Sequence, residues 1–281
     1  MTFSMTRRII NKGKSFFVSW WGERDYVHRS RFGISLVLNL QKDVDRYFFL
    51  DKFEDETLRV YRAIINPGDT VVDIGANIGI YSILGSRRVS PDGTIIAFEP
   101  SDWANERLHR NIRLNACQNI RVFKNAVSDV DGILSFHITE DDAYNSIGSA
   151  PMVPVRKIVE VEAVTLDAFL PSIGIHHVHV LKIDTEGADY LVLKGAVQLL
   201  RSDKAPVIFM EYNRNITEGY GFRLDDMYTL LTSLEYSIYE IVDWEPVLFD
   251  PSSSKSNEII CVKPQHEHLF RKAIHEAKTP S

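Results

Sequence analysis

The sequence predicts an α/β protein, a doubly wound and mainly parallel sheet with helices on both faces. Three observations carry that expectation. Short β-branched runs alternate with helical segments from Thr70 onward. The runs are apolar throughout rather than alternating, as strands buried on both sides are. Glycines and acidic residues follow directly after the runs, at the carboxyl rim where such sheets hold ligands.

The elements follow in order. Ile34–Leu40 and Arg46–Leu50 are strand-like and flank the polar Gln41-Lys42-Asp43, which reads as a hairpin. Asp55–Ile65 carries Leu58, Tyr61, Ile64 and Ile65 at helical spacing, and Asn66-Pro67-Gly68-Asp69 ends that helix. Seven core strands are then expected: Thr70–Ile74, Thr94–Phe98, Ile120–Lys124, Val178–Asp184, Pro206–Glu211, Tyr236–Val242 and Glu258–Val262. Helices are expected at Gly79–Arg88, at Trp103–Ala116 with Ser101 or Asp102 as its cap, at Ala188–Leu200 and at Phe222–Leu234. Ile133–Ile138 and Ile158–Val164 read as an inserted strand pair. The chain divides into an extension over 1–65 (helix, hairpin, helix), a core domain over 66–265 and a tail over 266–281.

Of the 281 residues, 44% are hydrophobic and 25% charged, the balance of a globular enzyme. A net charge of -6 disfavours general attraction to nucleic-acid phosphate, and no nucleic-acid partner is expected. The two cysteines, Cys117 and Cys261, are too far apart in sequence for a zinc motif and read as buried thiols in a reducing compartment. No apolar run reaches the ~20 residues that span a bilayer. Near the N-terminus Arg7, Arg8, Lys12 and Lys14 surround Ile9, Ile10, Phe16, Phe17, Trp20 and Trp21. Such a segment either packs on the domain or lies on a membrane surface. The expected location is cytoplasmic, with residues 7–21 as the candidate for peripheral membrane contact.

The chemistry gathers at the strand ends. Val71-Val72-Asp73-Ile74-Gly75-Ala76-Asn77-Ile78-Gly79 runs from a buried strand through a glycine turn into a helix, whose N-terminus offers unpaired amides and a positive dipole end. Gly75 permits a sharp turn and close approach of a ligand, and Gly79 permits close packing of helix on strand. A dinucleotide loop needs glycine where Asn77 stands, and the Asp73 carboxylate would repel a pyrophosphate. A phosphate-free ligand with cationic groups fits better, and S-adenosylmethionine is such a ligand. Glu99, closing the second core strand, suits a ribose diol. Asn125 and Ala126, with Asp129 shortly after, lie where a nucleobase edge would be met, or else satisfy their own turn. Leu181-Lys182-Ile183-Asp184-Thr185-Glu186-Gly187 ends an apolar strand in charges, which is costly unless they are paired or functional. Lys182 neutralising Asp184 is one account of them. Glu211, in Met210-Glu211-Tyr212-Asn213, reaches the same rim. His176, His177 and His179 precede the fourth core strand, at its far end from this rim, and read as solvated loop residues.

Taken together, VVDIGANIGIYS, IIAFEPS, NAVSD, VTLDAF, VLKIDTEGAD and VIFMEYN resemble the FkbM family of S-adenosylmethionine-dependent methyltransferases, from about Asn66 to Asn213. The resemblance implies a Rossmann-like, seven-stranded class I methyltransferase fold. It also implies an O-methyl acceptor on a sugar, a glycan or glycolipid, or a polyketide-like molecule. Carried over by position, Asp73, Gly75, Ala76, Asn77 and Gly79 form the cofactor loop, Glu99 holds the ribose, and Asn125, Ala126 and Asp129 meet the adenine. Asp184, Glu186 and Glu211 face the methionine end of the cofactor and the acceptor. Asp184 or Glu211 is the expected base, with Glu186 orienting. No metal is required, although Asp184, Glu211 and Asn213 offer oxygen ligands that suit Mg²⁺. An N-methyltransferase, a nicotinamide oxidoreductase and a catalytically silent nucleoside-binding module remain alternatives.

Overall fold

The computed structural model describes residue 18 and residues 20–22, 24–148, 154–212, 222–254 and 256–278. Its centre is an eight-stranded sheet. The strands are β3 (Thr70–Ile74), β4 (Thr94–Phe98), β5 (Ile120–Phe123), β10 (Val180–Ile183), β11 (Val207–Glu211), β12 (Ser237–Val242), β13 (Glu245–Leu248) and β14 (Glu258–Val262). They stand in the order β13-β12-β14-β11-β10-β3-β4-β5. Strands β5, β4, β3, β10 and β11 pair in parallel, while β14 runs antiparallel to both β11 and β12. The seven expected strands are all present. The eighth, β13, is an unforeseen hairpin partner of β12.

Strand order reverses between β3 and β10: the chain first fills β4 and β5 on one side, then β11 on the other. A crevice therefore opens past the carboxyl ends of β3 and β10. Neighbouring residues of one strand feed opposite cores. Val71, Ile95 and Phe209 join one apolar cluster, and Val72, Ile96 and Ile208 join the other. This two-sided burial is why these strands read as unbroken apolar runs.

A second sheet, ordered β6-β9-β7-β8, is built from β6 (Ala126–Val127), β7 (Gly132–Thr139), β8 (Ser146–Ile147) and β9 (Val155–Val164). It contains the expected inserted pair, longer than predicted.

The lead-in departs from expectation. Ser35–Asn39 is a strand, β2, but its antiparallel partner is β1 (Asp25–Arg29), and Asp43–Phe49 is a helix, α1. Asp43 and Asp45 occupy the first turn of α1, where acids suit the helix dipole. Asp45 is buried and accepts hydrogen bonds from the Asn39 amide and from Arg107 Nη2, the latter at 2.5 Å. The other edge of β2 is closed by side chains of α4 (Asp102–Leu114) rather than by a strand. Arg107 Nη2 donates to the Val37 carbonyl at 2.7 Å, the Val37 amide donates to Asn111 Oδ1 at 2.8 Å, and the Ser35 amide donates to Asn115 Oδ1 at 2.9 Å. A bare strand edge is thereby satisfied without a neighbour strand.

Helix α2 (Asp55–Ile64) packs on α3 (Ile80–Val89) and on the C-terminal helix α9 (Glu267–Lys278). The segment read as a tail thus buries Phe270 and Ile274 in the core. The expected helix over 188–200 is two, α6 (Asp189–Lys194) and α7 (Val197–Arg201), parted at Gly195. The remaining helices are α5 (Leu166–Ser172) and α8 (Leu224–Ser233). Among the described residues no helix is long and apolar enough to cross a membrane. Residues 7–17 and 19 of the proposed membrane-contact segment lie outside the described residues.

Candidate active site

The crevice at the β3–β10 rim holds a cavity lined from the strand ends of β3, β4 and β10, the place where open α/β sheets bind ligands. The loop after β3 forms one wall. Gly75 and Ala76 amides both donate to the Phe98 carbonyl at 3.0 Å, tying this loop to the end of β4. Gly75 has φ +74°, and a Cβ on it would fall 1.8 Å from the Asp184 carbonyl oxygen. Its glycine serves the sharp turn that the sequence suggested and is required as well by the Asp184 backbone beside it. Gly79, at φ +93°, lies outside the cavity lining; a Cβ there would strike Leu108 of α4 at 2.5 Å. Its role is helix–helix packing rather than packing of helix on strand.

Glu99 is 6% exposed. Its Oε2 accepts from the Asn77 amide at 2.8 Å and its Oε1 from the Ser101 amide at 2.9 Å. Both carboxylate oxygens are therefore fixed at the cavity wall. Asn125, Ala126 and Val127 line the adjoining wall with Phe98. Asp129 does not: it turns away to an ion pair with Lys194 of α6. It sits beyond β6, whose pairing with β9 carries the chain out of the crevice.

Asp73 lines the cavity yet is 2% exposed, and Ser82 Oγ of α3 donates to its Oδ2 at 2.5 Å. Burial pushes its carboxyl up to about 6, against the pull of Ser82 and Lys182. Lys182, 1% exposed, places Nζ 3.3 Å from Asp184 Oδ2 and 4.9 Å from the centre of the Tyr81 ring. Burial works to strip its proton, but Asp184, Glu54, Glu258 and Asp73 together raise it, so Lys182 is an ammonium. It pairs with Asp184, as one sequence account held, but shares its charge among several further acids.

Asp184 and Glu186 line the cavity. Their carboxylate oxygens and that of Glu211 lie within 4.8 Å of one another, although Glu211 itself is not part of the lining. Glu186 has φ +53°, a strained setting for a residue with a side chain. Burial, then Asp184, Glu211 and Asp189, push its carboxyl well up. Asn213, the third oxygen donor of the Mg²⁺ reading, lies outside the described residues.

Sequence reasoning missed several members of this site. Asp189 is 5% exposed and accepts from the Thr185 amide and hydroxyl at 3.2 Å each; burial and then Asp184 push it up to about 6. Glu258 opens β14 directly opposite Glu211. Glu54 and Tyr81 stand behind Lys182. Val44 and Phe53 from the lead-in, Ala143 and Asn145 from the turn before β8, and Phe136 and Ile147 from the second sheet also line the cavity. An acid opening an otherwise apolar strand at Glu258 is the one local signal that pointed here. His179 is at the opposite end of the sheet, where its Nδ1 accepts the Thr70 amide at 2.9 Å; it is structural rather than merely solvated.

The chain is similar to a 2-O-methyltransferase, NoeI, of Sinorhizobium fredii, 24% identical over 206 residues that span 66% of this chain and 82% of that protein. It is similar also to the methyltransferase sdnD of Sordaria araneosa, 28% identical over 183 residues, 53% of this chain and 68% of that one. Among solved structures, a SAM-dependent methyltransferase from Aquifex aeolicus aligns over 79% of this chain and 94% of its own, with 13% identity and a TM-score of 0.42. A SAM-dependent O-methyltransferase from Thermotoga maritima aligns over 75% and 65%, with 11% identity and a TM-score of 0.41. The FkbM methyltransferase domain matches residues 73–238, which run from Asp73 through Glu99, Asp184 and Glu211 and so take in the charged rim of the crevice. On that match the chain belongs to the FkbM family, and it is an S-adenosylmethionine-dependent methyltransferase.

Proposed function

We propose that this enzyme methylates a hydroxyl oxygen on a small acceptor of the sugar or glycan kind, with Asp184 or Glu211 taking the acceptor's proton and Glu186 orienting it. The observation that carries the reading is the convergence of these three carboxylates, within 4.8 Å of one another, at the mouth of the crevice. Asp184 and Glu211 stand close enough to Glu186 to help push its carboxyl up, so the group is one that can hold a proton. The similarity to a 2-O-methyltransferase supports oxygen as the acceptor atom.

The residues fit the cofactor. A carboxylate oxygen accepts up to two hydrogen bonds, so Glu99, fixed by two backbone amides, is shaped to receive a vicinal diol. Asn125, Ala126 and Val127, beside Phe98, offer a flat, mostly apolar wall with polar edges for a purine. Asp73, Gly75, Ala76 and Asn77, with Asp184, surround the end where the cationic part of the cofactor belongs. When bound, the cofactor supplies an electrophilic methyl group and a neutral thioether leaving group. The chain's own work is to hold the acceptor oxygen in line, which supplies roughly 7–11 kcal/mol of barrier reduction, and to accept a proton, which adds a factor of about 10²–10⁴.

The test uses methyl-labelled cofactor and a panel of mono- and oligosaccharides. Asp184→Asn and Glu211→Gln should each cut turnover, by about 10²–10⁴ for the residue that is the base. Calorimetric affinity for S-adenosylhomocysteine should stay near wild type in Glu211→Gln, whose side chain does not line the cavity. Wild-type turnover in both variants would refute the assignment.

A further inference from the structure

The turn between α1 and α2 is strained at both ends and presents consecutive side chains to the site. Asp51 has φ +55° and Glu54 φ +35°. Asp enters the left-handed region more readily than most residues, but Glu does not, and the strain at Glu54 persists only where surroundings impose it. Phe53 lines the cavity. Glu54 occupies the N-cap position of α2, yet its side chain makes no capping bond. Its Oε2 instead accepts a short hydrogen bond from the Tyr81 hydroxyl of α3. Ser, Thr, Asp or Asn would cap the helix from this position; Glu54 points its carboxyl inward to Tyr81 instead.

Tyr81 is also the ring over which Lys182 Nζ sits at 4.9 Å, and Lys182 is the cation 3.3 Å from Asp184 Oδ2. A chain of direct contacts thus leads from Glu54 through Tyr81 and Lys182 to Asp184. The charged and titratable groups facing Glu54 are Tyr81 from α3, Lys182 and Asp184 at the end of β10, and Glu258 from β14. Asp73 of β3 joins them through Lys182. Burial, opposed by Lys182, pushes the Glu54 carboxyl up, so it shares in the protons of this group. Glu54 and Glu258 both lie outside residues 73–238. The segment ahead of the FkbM domain therefore contributes to its charged centre.

We infer that Glu54 is a positioning residue of the methyl-transfer site, which holds Tyr81 and Lys182 in place and thereby sets the charge and proton balance around Asp184. It does not line the cavity and so acts through those neighbours. The inference rests on the reading of Asp184 as part of the proton-accepting group.

Two measurements on the full chain test it, one of them independent of any acceptor. The first is proton release when S-adenosylmethionine binds at pH 6.5, from calorimetry in buffers of different ionisation enthalpy. A sulfonium entering a group of acids that share protons expels part of one. Glu54→Gln keeps a partner for the Tyr81 hydroxyl but removes a proton site, so release should fall by about half. The second is the pH profile of kcat on an accepted saccharide. A cluster with one acid fewer loses its last proton at lower pH, so the acid limb should move down by at least about half a pH unit in Glu54→Gln. It should move up in Lys182→Met, which removes the cation. Kd for S-adenosylhomocysteine and the melting temperature should stay near wild type in Glu54→Gln. Unchanged proton release and an unmoved acid limb would overturn the inference. A shift in melting temperature alone would reduce Glu54 to a structural role and overturn it equally. Full activity in both Asp184→Asn and Glu211→Gln would instead sink the base assignment and leave the proton-release result to decide on Glu54.

Discussion

Two of the sites that bury ionic groups do so in opposite ways. At the first, Asp45 and Arg107 pair one to one between α1 and α4, with side chains 2% and 9% exposed. Arg107 also bonds the Val37 carbonyl and stacks 4.4 Å from the Trp103 ring centre, while Asp45 takes the Asn39 amide. At the second, one buried ammonium, Lys182, is shared among Asp184, Glu54, Glu258 and Asp73. The first site matches one cation to one anion and ties the lead-in to the core. The second crowds acids around one cation, so protons are easily gained and lost there. Matched charge serves architecture; crowded acid is what a proton-handling site needs.

That contrast can be broken in order of effect. The largest change should come from Arg107→Ala. Removing one partner of a buried pair leaves the other uncompensated and typically costs about 3–5 kcal/mol. Denaturant unfolding should report that loss, with affinity for S-adenosylhomocysteine in the folded fraction near wild type. A loss under about 1 kcal/mol would mean that water reaches Asp45 and that the two sites are less different than drawn.

The next effect is on pH dependence. The Asp73 carboxyl is raised from 3.8 to about 6 in the folded chain. A raised acid favours folding fully only below its unfolded value, and that contribution disappears as pH climbs through the folded value. At about 1.4 kcal/mol per unit, Asp73 should make the cofactor-free protein lose up to about 3 kcal/mol between pH 4 and pH 7. Asp73→Asn keeps a partner for Ser82 and should flatten this slope, while Asp189, also raised to about 6, preserves a similar share of it. Unfolding curves across that range, wild type against variant, check the sign. The smallest effect should come from chelation: turnover in EDTA should equal turnover without it, because the Asp184, Glu186 and Glu211 oxygens are assigned to protons rather than to Mg²⁺. A loss restored by added Mg²⁺ would reassign them to a cation.

Much of the site was legible because its parts are local. β3 and β4 occupy the expected residues, and the loop over Gly75–Asn77, with Glu99, Asp184 and Glu186, follows directly on strand ends that composition alone marks. Ser101, one of the two expected caps, caps α4 through the Ala104 amide. The misreadings are of another kind. Arg46–Leu50 is rich in apolar and aromatic residues and passes for a strand, but Asp45 is drawn to Arg107, far along the chain, and the segment coils. Asp129 follows its strand at the right spacing, yet Lys194 of α6 takes it out of the crevice. The periodicity of Glu267–Lys278 was present in the sequence and went unread as a helix.

By itself the sequence determined the seven core strands, the helices that follow β3 and β4, the glycine turn after β3 and the acids along one rim. Each of these depends on a few consecutive residues and on whether a run is buried on one face or two. Only the tertiary structure decided that β14 slots antiparallel between β11 and β12, setting Glu258 opposite Glu211. It also decided that a strained turn ahead of the family domain brings Glu54 to Tyr81, and that Gly75 must be glycine because the Asp184 carbonyl crowds it. Those placements arise from pairings between distant segments, whose register and closeness leave no periodic trace in either segment alone.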